Sequence, residues 1–95
     1  MAGYLIGEIE VTDPETYARY RPLAAAAIAR HGGRYLVRGG EAATLEGQGD
    51  PKRLVVVEFP SVEQARAFYN SPDYQEVLKL RLLSSTGRMI VVDGV

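Results

Sequence analysis

The chain has 95 residues, of which 46% are hydrophobic, and a formal net charge of −1. These values indicate one small globular domain spanning residues 1–95 rather than a disordered segment. The slight negative charge argues against a nucleic-acid-binding module, which needs a basic surface to contact phosphates. Because there is no cysteine and only one histidine, His31, disulfides, thiolate catalysis and a histidine-based metal cluster within one chain are excluded.

The N-terminal residues have no basic region followed by a long apolar run. We therefore expect neither a signal peptide nor a membrane span, and take a cytoplasmic location as the default. No phosphate loop, metal motif or catalytic serine-histidine-aspartate order is present. We expect no metal, no cofactor, no nucleic-acid partner and no membrane partner.

Hydrophobic periodicity predicts the order strand, helix, strand, strand, helix pair, strand. The predicted strands are residues 4–11, 34–38, 53–59 and 88–93, and residues 41–46 are a candidate continuation of the second strand. A long helix is predicted from Pro14 to about His31, with a kink before Pro22 and continuation beyond it. Residues 61–85 are predicted to form two short helices hinged at Asn70-Ser71-Pro72.

This order is the split βαβ pattern of a ferredoxin-like α+β domain, with an antiparallel sheet and helices on one face. The third strand, Arg53–Phe59, is apolar on both faces, so both faces of the sheet need to be covered. In so small a chain a second subunit is the expected cover for the open face. We therefore predict a homodimer.

Arg81 departs most from the hydrophobic pattern. Five residues of the second short helix share one face by their spacing: Tyr74, Val77, Leu78, Arg81 and Leu82. A guanidinium is seldom buried without an anionic partner. Arg81 is therefore predicted either to hold a carboxylate or phosphate of a ligand, or to pair with Glu58 or Glu8 inside the fold, or to reach water past an apolar stem.

Two further candidates lie on the predicted strands. Glu58 is a buried carboxylate if its face looks toward the helices, and is then either a general base with a raised pKa or the structural partner of Arg81. Arg38 stands beside Gly39-Gly40, whose backbone amides could bind an anion. The alternative for this segment is an edge-strand bulge with a solvated arginine.

Four other residues are candidates on the helices. Tyr69, Ser71 and Tyr74 surround the hinge and could line the mouth of a pocket, although Ser71 is also a suitable helix cap and the tyrosines suitable core residues. His31 is either an acid or base near neutral pH or a residue that completes the end of the long helix.

Three motifs together resemble a known family. They are RYLVRGG at residues 34–40, VVVEFPS at residues 55–61, and FYNSPDYQ at residues 68–75 followed by Arg81. With the order of elements, they resemble domain of unknown function 1330 over nearly the whole chain. The resemblance implies a dimeric α/β-barrel fold, related in shape to small cofactor-free monooxygenases and to muconolactone isomerase-like proteins. It implies no particular activity.

Two functional hypotheses follow. The first is a small-molecule binding protein or cofactor-free enzyme for an anionic or enolic ligand, with Arg81 and Arg38 fixing an oxygen and Glu58 or His31 moving a proton. Enolisation, isomerisation and oxygenation all fit this hypothesis, and fold analogy cannot choose among them. The second is a non-catalytic dimeric structural or interaction module, in which Arg81 and Glu58 form an internal ion pair.

Overall fold

A computed structural model describes all 95 residues, and it contains four strands and three helices. In chain order these are β1 (Gly3–Val11), α1 (Pro14–Arg30), β2 (Arg34–Arg38), β3 (Arg53–Phe59), α2 (Val62–Tyr69), α3 (Pro72–Ser84) and β4 (Ser85–Asp93). All pairings are antiparallel, in the strand order β2-β3-β1-β4. This is the predicted ferredoxin-like α+β fold.

Each helix begins at a side-chain cap that the sequence provides. The Asp13 carboxylate accepts from the backbone N–H of Thr16 at 3.3 Å, and the Ser61 hydroxyl accepts from that of Gln64 at 3.1 Å. Such caps satisfy backbone donors that have no partner within the helix. Helix α1 continues through Pro22, which is exposed.

The second and fourth strands differ in extent from the prediction. Residues 41–46 form no strand, and the whole stretch 40–52 between β2 and β3 is exposed. Strand β4 begins at Ser85 rather than at residue 88, with no loop after α3. The junction is held because the Ser84 carbonyl accepts from the backbone N–H groups of Thr12 and Asp13, at 2.8 and 3.1 Å.

Gly87 is required where β4 crosses the end of β1. Its φ is +142°, and a Cβ at this position would collide with the backbone carbonyl oxygen of Glu8. Only glycine adopts such a φ without strain and leaves room for that carbonyl. The early start of β4 therefore depends on this residue.

The core lies between one face of the sheet and the three helices. The sheet contributes Leu5, Ile9, Val57 and Phe59, all buried. The helices contribute an aromatic cluster in which the Phe68 ring centroid is 4.4 Å from that of Tyr74 and 5.2 Å from that of Phe59. Aromatic side chains of this size supply most of the apolar area that a small domain can bury.

The opposite face of the sheet, called the open sheet face below, carries a continuous apolar surface. Its apolar residues are Ile6, Leu54, Val56, Ile90 and Val92. Ile90 and Val92 are 42% and 44% exposed. None of the three helices combines the length and the apolar character needed to cross a bilayer.

Candidate functional site

A small cavity, called the inner cavity below, lies between the sheet and the helices. Its volume is about 30 Å³, and no carboxylate lines it. Most of its wall is apolar or aromatic, and four tyrosines contribute to it: Tyr17, Tyr20, Tyr35 and Tyr74. A mainly apolar wall with a few polar groups is typical of small-molecule sites.

Three arginines also line the inner cavity, at what we call the arginine end. They are Arg21, Arg38 and Arg53, and none forms an ion pair within the chain. The guanidinium carbon of Arg38 is 4.6 Å from the ring centroid of Tyr35, and that of Arg53 is 5.5 Å from the ring centroid of Tyr17. The arginine end therefore combines aromatic contacts with positive charge that the protein itself does not neutralise.

Gly39 positions the guanidinium of Arg53. Its φ is +71°, and a Cβ there would collide with that guanidinium. The Gly39 N–H donates to the Leu54 carbonyl at 2.8 Å, so this amide is not free for an anion. Of the Gly39-Gly40 amides considered for an anion, that of Gly39 is thus already bonded within the sheet, whereas Arg38 does line the cavity. The Nε of Arg53 is buried and has no hydrogen-bond partner.

A buried pair of phenols forms another part of the cavity wall. The hydroxyl oxygens of Tyr20 and Tyr74 are 2.8 Å apart. Burial, reinforced by Tyr74, raises the pKa of Tyr20 far above its ordinary value. Tyr20 is therefore protonated at physiological pH and can act as a hydrogen-bond donor.

Arg81 lies beside this tyrosine pair but does not line the inner cavity. It is only 6% exposed, and its Nε has no hydrogen-bond partner. Burial opposes its charge, but the neighbouring Tyr74 phenol favours it, and the pKa of Arg81 ends above its ordinary value. The side chain is therefore a buried cation.

The predicted ion pair between Arg81 and Glu58 or Glu8 is wrong. Glu58 accepts from the Nε of Arg34 at 2.7 Å and from the Tyr4 hydroxyl at 3.2 Å. Glu8 accepts from the Nε of Arg88 at 3.3 Å.

The reason lies in the register of the sheet. Leu5 is paired with Val57 on the helix side, so the neighbouring Glu58 points to the open sheet face. The Arg34 hydrogen bond lowers the pKa of Glu58, so the predicted raised pKa is wrong as well.

His31 lies in a surface cluster and does not itself line the inner cavity. Its Nε2 is 3.1 Å from one carboxylate oxygen of Asp73, and the Nη2 of Arg30 is 3.0 Å from the other. Ser71, His31 and Arg30 together hold the pKa of Asp73 well below its ordinary value. This cluster connects the end of α1 to the start of α3. The His31 ring packs against Phe68, a residue of the cavity wall, with 5.8 Å between the ring centroids.

Two of the hinge residues, Ser71 and Tyr69, lie apart from the inner cavity and have different roles. Ser71 caps α3, because its hydroxyl accepts from the Tyr74 backbone N–H at 3.4 Å. Tyr69 lines a second, wider space, called the outer cleft below, of about 330 Å³. The outer cleft lies between the end of α2 and strand β4, and its polar residues are Arg66 and Asn70.

The structure thus brings Arg38 and Tyr74 together at one cavity and adds residues that sequence reasoning missed. The most important of these are Arg21 and Arg53. A period-2 pattern places Arg53 on the same face of β3 as Val55 and Val57, which was the available signal. Arg21 follows Tyr17 by four residues on α1, so helical spacing places the two side by side, and this was the available signal for Arg21.

Comparison with known proteins agrees with this architecture. No curated protein sequence matches the chain. A protein of unknown function from Rhodopseudomonas palustris is 20% identical, with a TM-score of 0.78, over 99% of this chain and 82% of that one. SnoaB from Streptomyces nogalater, described as a cofactor-independent oxygenase, is 14% identical, with a TM-score of 0.71, over 99% of this chain and 93% of SnoaB.

A candidate antibiotic biosynthesis monooxygenase from Chloroflexus aurantiacus is 13% identical, with a TM-score of 0.62, over 100% of this chain and 94% of that one. The shared architecture is the ferredoxin-like α+β fold. The model of a domain of unknown function, DUF1330, matches residues 2–95. The chain belongs to the DUF1330 family.

Proposed function

We propose that the protein binds a small anionic or enolic molecule at the inner cavity, as a binding protein or as a cofactor-free enzyme. The observation that carries this proposal is the arginine end, where three arginines meet a cavity that no carboxylate lines. Guanidinium groups in such a setting favour a carboxylate or an enolate, because charge-assisted hydrogen bonds are stronger than neutral ones.

The cavity also suggests how an enolic oxygen would be stabilised. The hydroxyl pair of Tyr20 and Tyr74 can donate a hydrogen bond, and the arginines can favour negative charge that develops on the substrate. Glu58 and His31 lie elsewhere, so this cavity has no carboxylate or imidazole base of its own. The fold shared with SnoaB, a cofactor-independent oxygenase, makes oxygenation of an acidic enol the first reaction to test.

Replacing an arginine of this end should weaken anion binding. We expect Arg38→Gln and Arg53→Gln each to reduce affinity for para-phenylbenzoate, and for inorganic phosphate, by about tenfold. The measurement is a titration of isotope-labelled protein followed by amide chemical shifts. Arg19→Gln is the control, because Arg19 is exposed on α1 and lines no part of the cavity. The proposal fails if wild type binds neither anion, or if the control loses as much affinity.

We also propose that two copies of the chain pair through the open sheet face. This surface is apolar at its centre and carries two ion pairs, Arg34–Glu58 and Arg88–Glu8. A continuous apolar surface with charged residues at its edges is typical of an interface between subunits. A second copy supplies a matching face, because a two-fold interface uses the same residues on both sides.

A charge placed on the open sheet face should separate the subunits. We expect Val92→Asp to raise the dissociation constant of the dimer by about a hundredfold or more, because a carboxylate would be buried without a partner. Sedimentation equilibrium measures this directly. Leu82→Asp is the matched control, since Leu82 is 64% exposed on α3. A monomeric wild type, or a control that dissociates equally, would contradict the proposed homodimer.

A further inference from the structure

The inner cavity and the outer cleft are neighbours that share two wall residues. Leu5 of β1 and Met89 of β4 line both. As it stands, the inner cavity holds no more than about one water molecule. The outer cleft, at about 330 Å³, already reaches the lower end of the size range of small-molecule sites.

Of the two shared residues, Met89 is the one that can move. Leu5 is buried in the central strand, whereas Met89 is only partly buried on the edge strand β4. A methionine side chain has three rotatable bonds and no branch, so it changes shape at low cost.

Gly7 provides the space in which Met89 lies. The two residues are cross-strand partners, and a Cβ at Gly7 would lie 3.2 Å from the Met89 Cε and 3.3 Å from its Sδ. The thioether therefore rests over the glycine instead of standing away from the sheet. A longer side chain at residue 7 would push Met89 out of this position.

We infer that the two spaces are halves of one elongated ligand site and that the Met89 side chain is the movable wall between them. This inference rests on the proposed function, because the arginine end supplies the charge that selects the ligand. It adds the shape of the ligand. The site takes an acid with a long apolar body, whose anionic group lies at the arginine end and whose far end reaches the outer cleft.

The polar groups agree with this orientation. Positive charge at the inner end comes from Arg21, Arg38 and Arg53, whereas the outer cleft is lined mainly by apolar residues with Arg66 and Asn70 among them. Between the two ends the wall is aromatic or aliphatic, which suits an apolar body. Displacing Met89 toward the outer cleft would join the two volumes.

Two anions of different length test the inference. Inorganic phosphate needs only the guanidinium groups at the arginine end, where Arg21 and Arg38 are exposed, whereas para-phenylbenzoate must pass Met89. Met89→Ile replaces a flexible side chain with a stiff β-branched one that suits a strand, so the variant should fold normally. We expect it to weaken para-phenylbenzoate binding by about tenfold and to change phosphate binding by less than about twofold.

Met89→Ala should strengthen the binding of para-phenylbenzoate instead of weakening it. With no side chain to displace, affinity for para-phenylbenzoate should rise by about threefold or more, and phosphate affinity should stay within about twofold of wild type. Leu82→Ala is the control for a general loss of apolar surface, because Leu82 lines neither space. If the Met89→Ala variant is unstable, the Met89→Ile result alone decides the question.

The outcomes separate this inference from the proposed function. If the Met89 variants bind both anions as wild type does, while Arg38→Gln weakens both, the movable wall is wrong and the anion site stands. Wild type that binds phosphate but not para-phenylbenzoate overturns the elongated site in the same way. Wild type that binds neither anion overturns both proposals.

Discussion

Arg81→Met is expected to lower the free energy of unfolding by no more than about 1–3 kcal/mol, because it removes the favourable contact between the guanidinium and the Tyr74 phenol but strands no buried carboxylate. Arg81 is 6% exposed, its Nε has no hydrogen bond, and no carboxylate pairs with it. Methionine fills a similar volume with an apolar, flexible side chain, so little packing is lost. Urea unfolding at one fixed protein concentration measures the change, since the stability of a dimer depends on concentration.

Arg19→Met is the control for removing a positive charge from the surface, and it should change stability by less than about 0.5 kcal/mol. A loss of about 3–5 kcal/mol in Arg81→Met would contradict the expectation, because that is the cost of leaving a buried partner charge alone. A higher free energy of unfolding in Arg81→Met than in wild type would mean that the wild-type fold carries a charge that it does not need for stability. Such a charge beside the Tyr20–Tyr74 pair is what a trade-off between stability and function predicts.

Gly87→Ala is expected to lower the free energy of unfolding by about 3 kcal/mol or more, from backbone strain and from overpacking together. The φ of +142° is unfavourable for alanine, and the new Cβ would meet the carbonyl oxygen of Glu8, which is backbone and cannot rotate away. The antiparallel pairing of β1 with β4 would have to open at this end. Thermal or urea unfolding detects a change of this size easily.

Gly40→Ala is the matched control. Gly40 is exposed, its φ is not positive, and a Cβ there would contact nothing within 4 Å. Its replacement should leave stability within about 1 kcal/mol of wild type or raise it slightly, because alanine reduces the entropy of the unfolded chain. Equal losses in the two variants would show that glycine is needed at Gly87 for some reason other than its local geometry.

Most of the fold could be predicted because its signals are local. Period-2 alternation marks β1 and β3, and the caps at Asp13 and Ser61 mark where α1 and α2 begin. The early start of β4 could not be predicted in this way. It depends on contacts between distant residues, in which the Ser84 carbonyl accepts from two amides after β1.

The candidate site was predicted less well, and Glu58 shows why. Because β3 is apolar on both faces, its pattern cannot tell which face looks toward the helices. Only the pairing of Leu5 with Val57 assigns Glu58 to the open sheet face. Arg53 could not be identified for a related reason. An arginine at the start of a strand is usually solvated, and only the tertiary structure shows that its guanidinium lies over the Tyr17 ring.

The exposed stretch 40–52 is a place where the ligand preference of this site could change without changing the core. It joins the two strand ends that carry Arg38 and Arg53, yet it contributes no buried residue to the core. Doubling the length of a flexible loop costs only about 0.6 kcal/mol. Insertions here could therefore build new walls around the arginine end and select different acids, while the sheet and the aromatic cluster stay unchanged. Evolution or an engineer could alter ligand choice at this one connection.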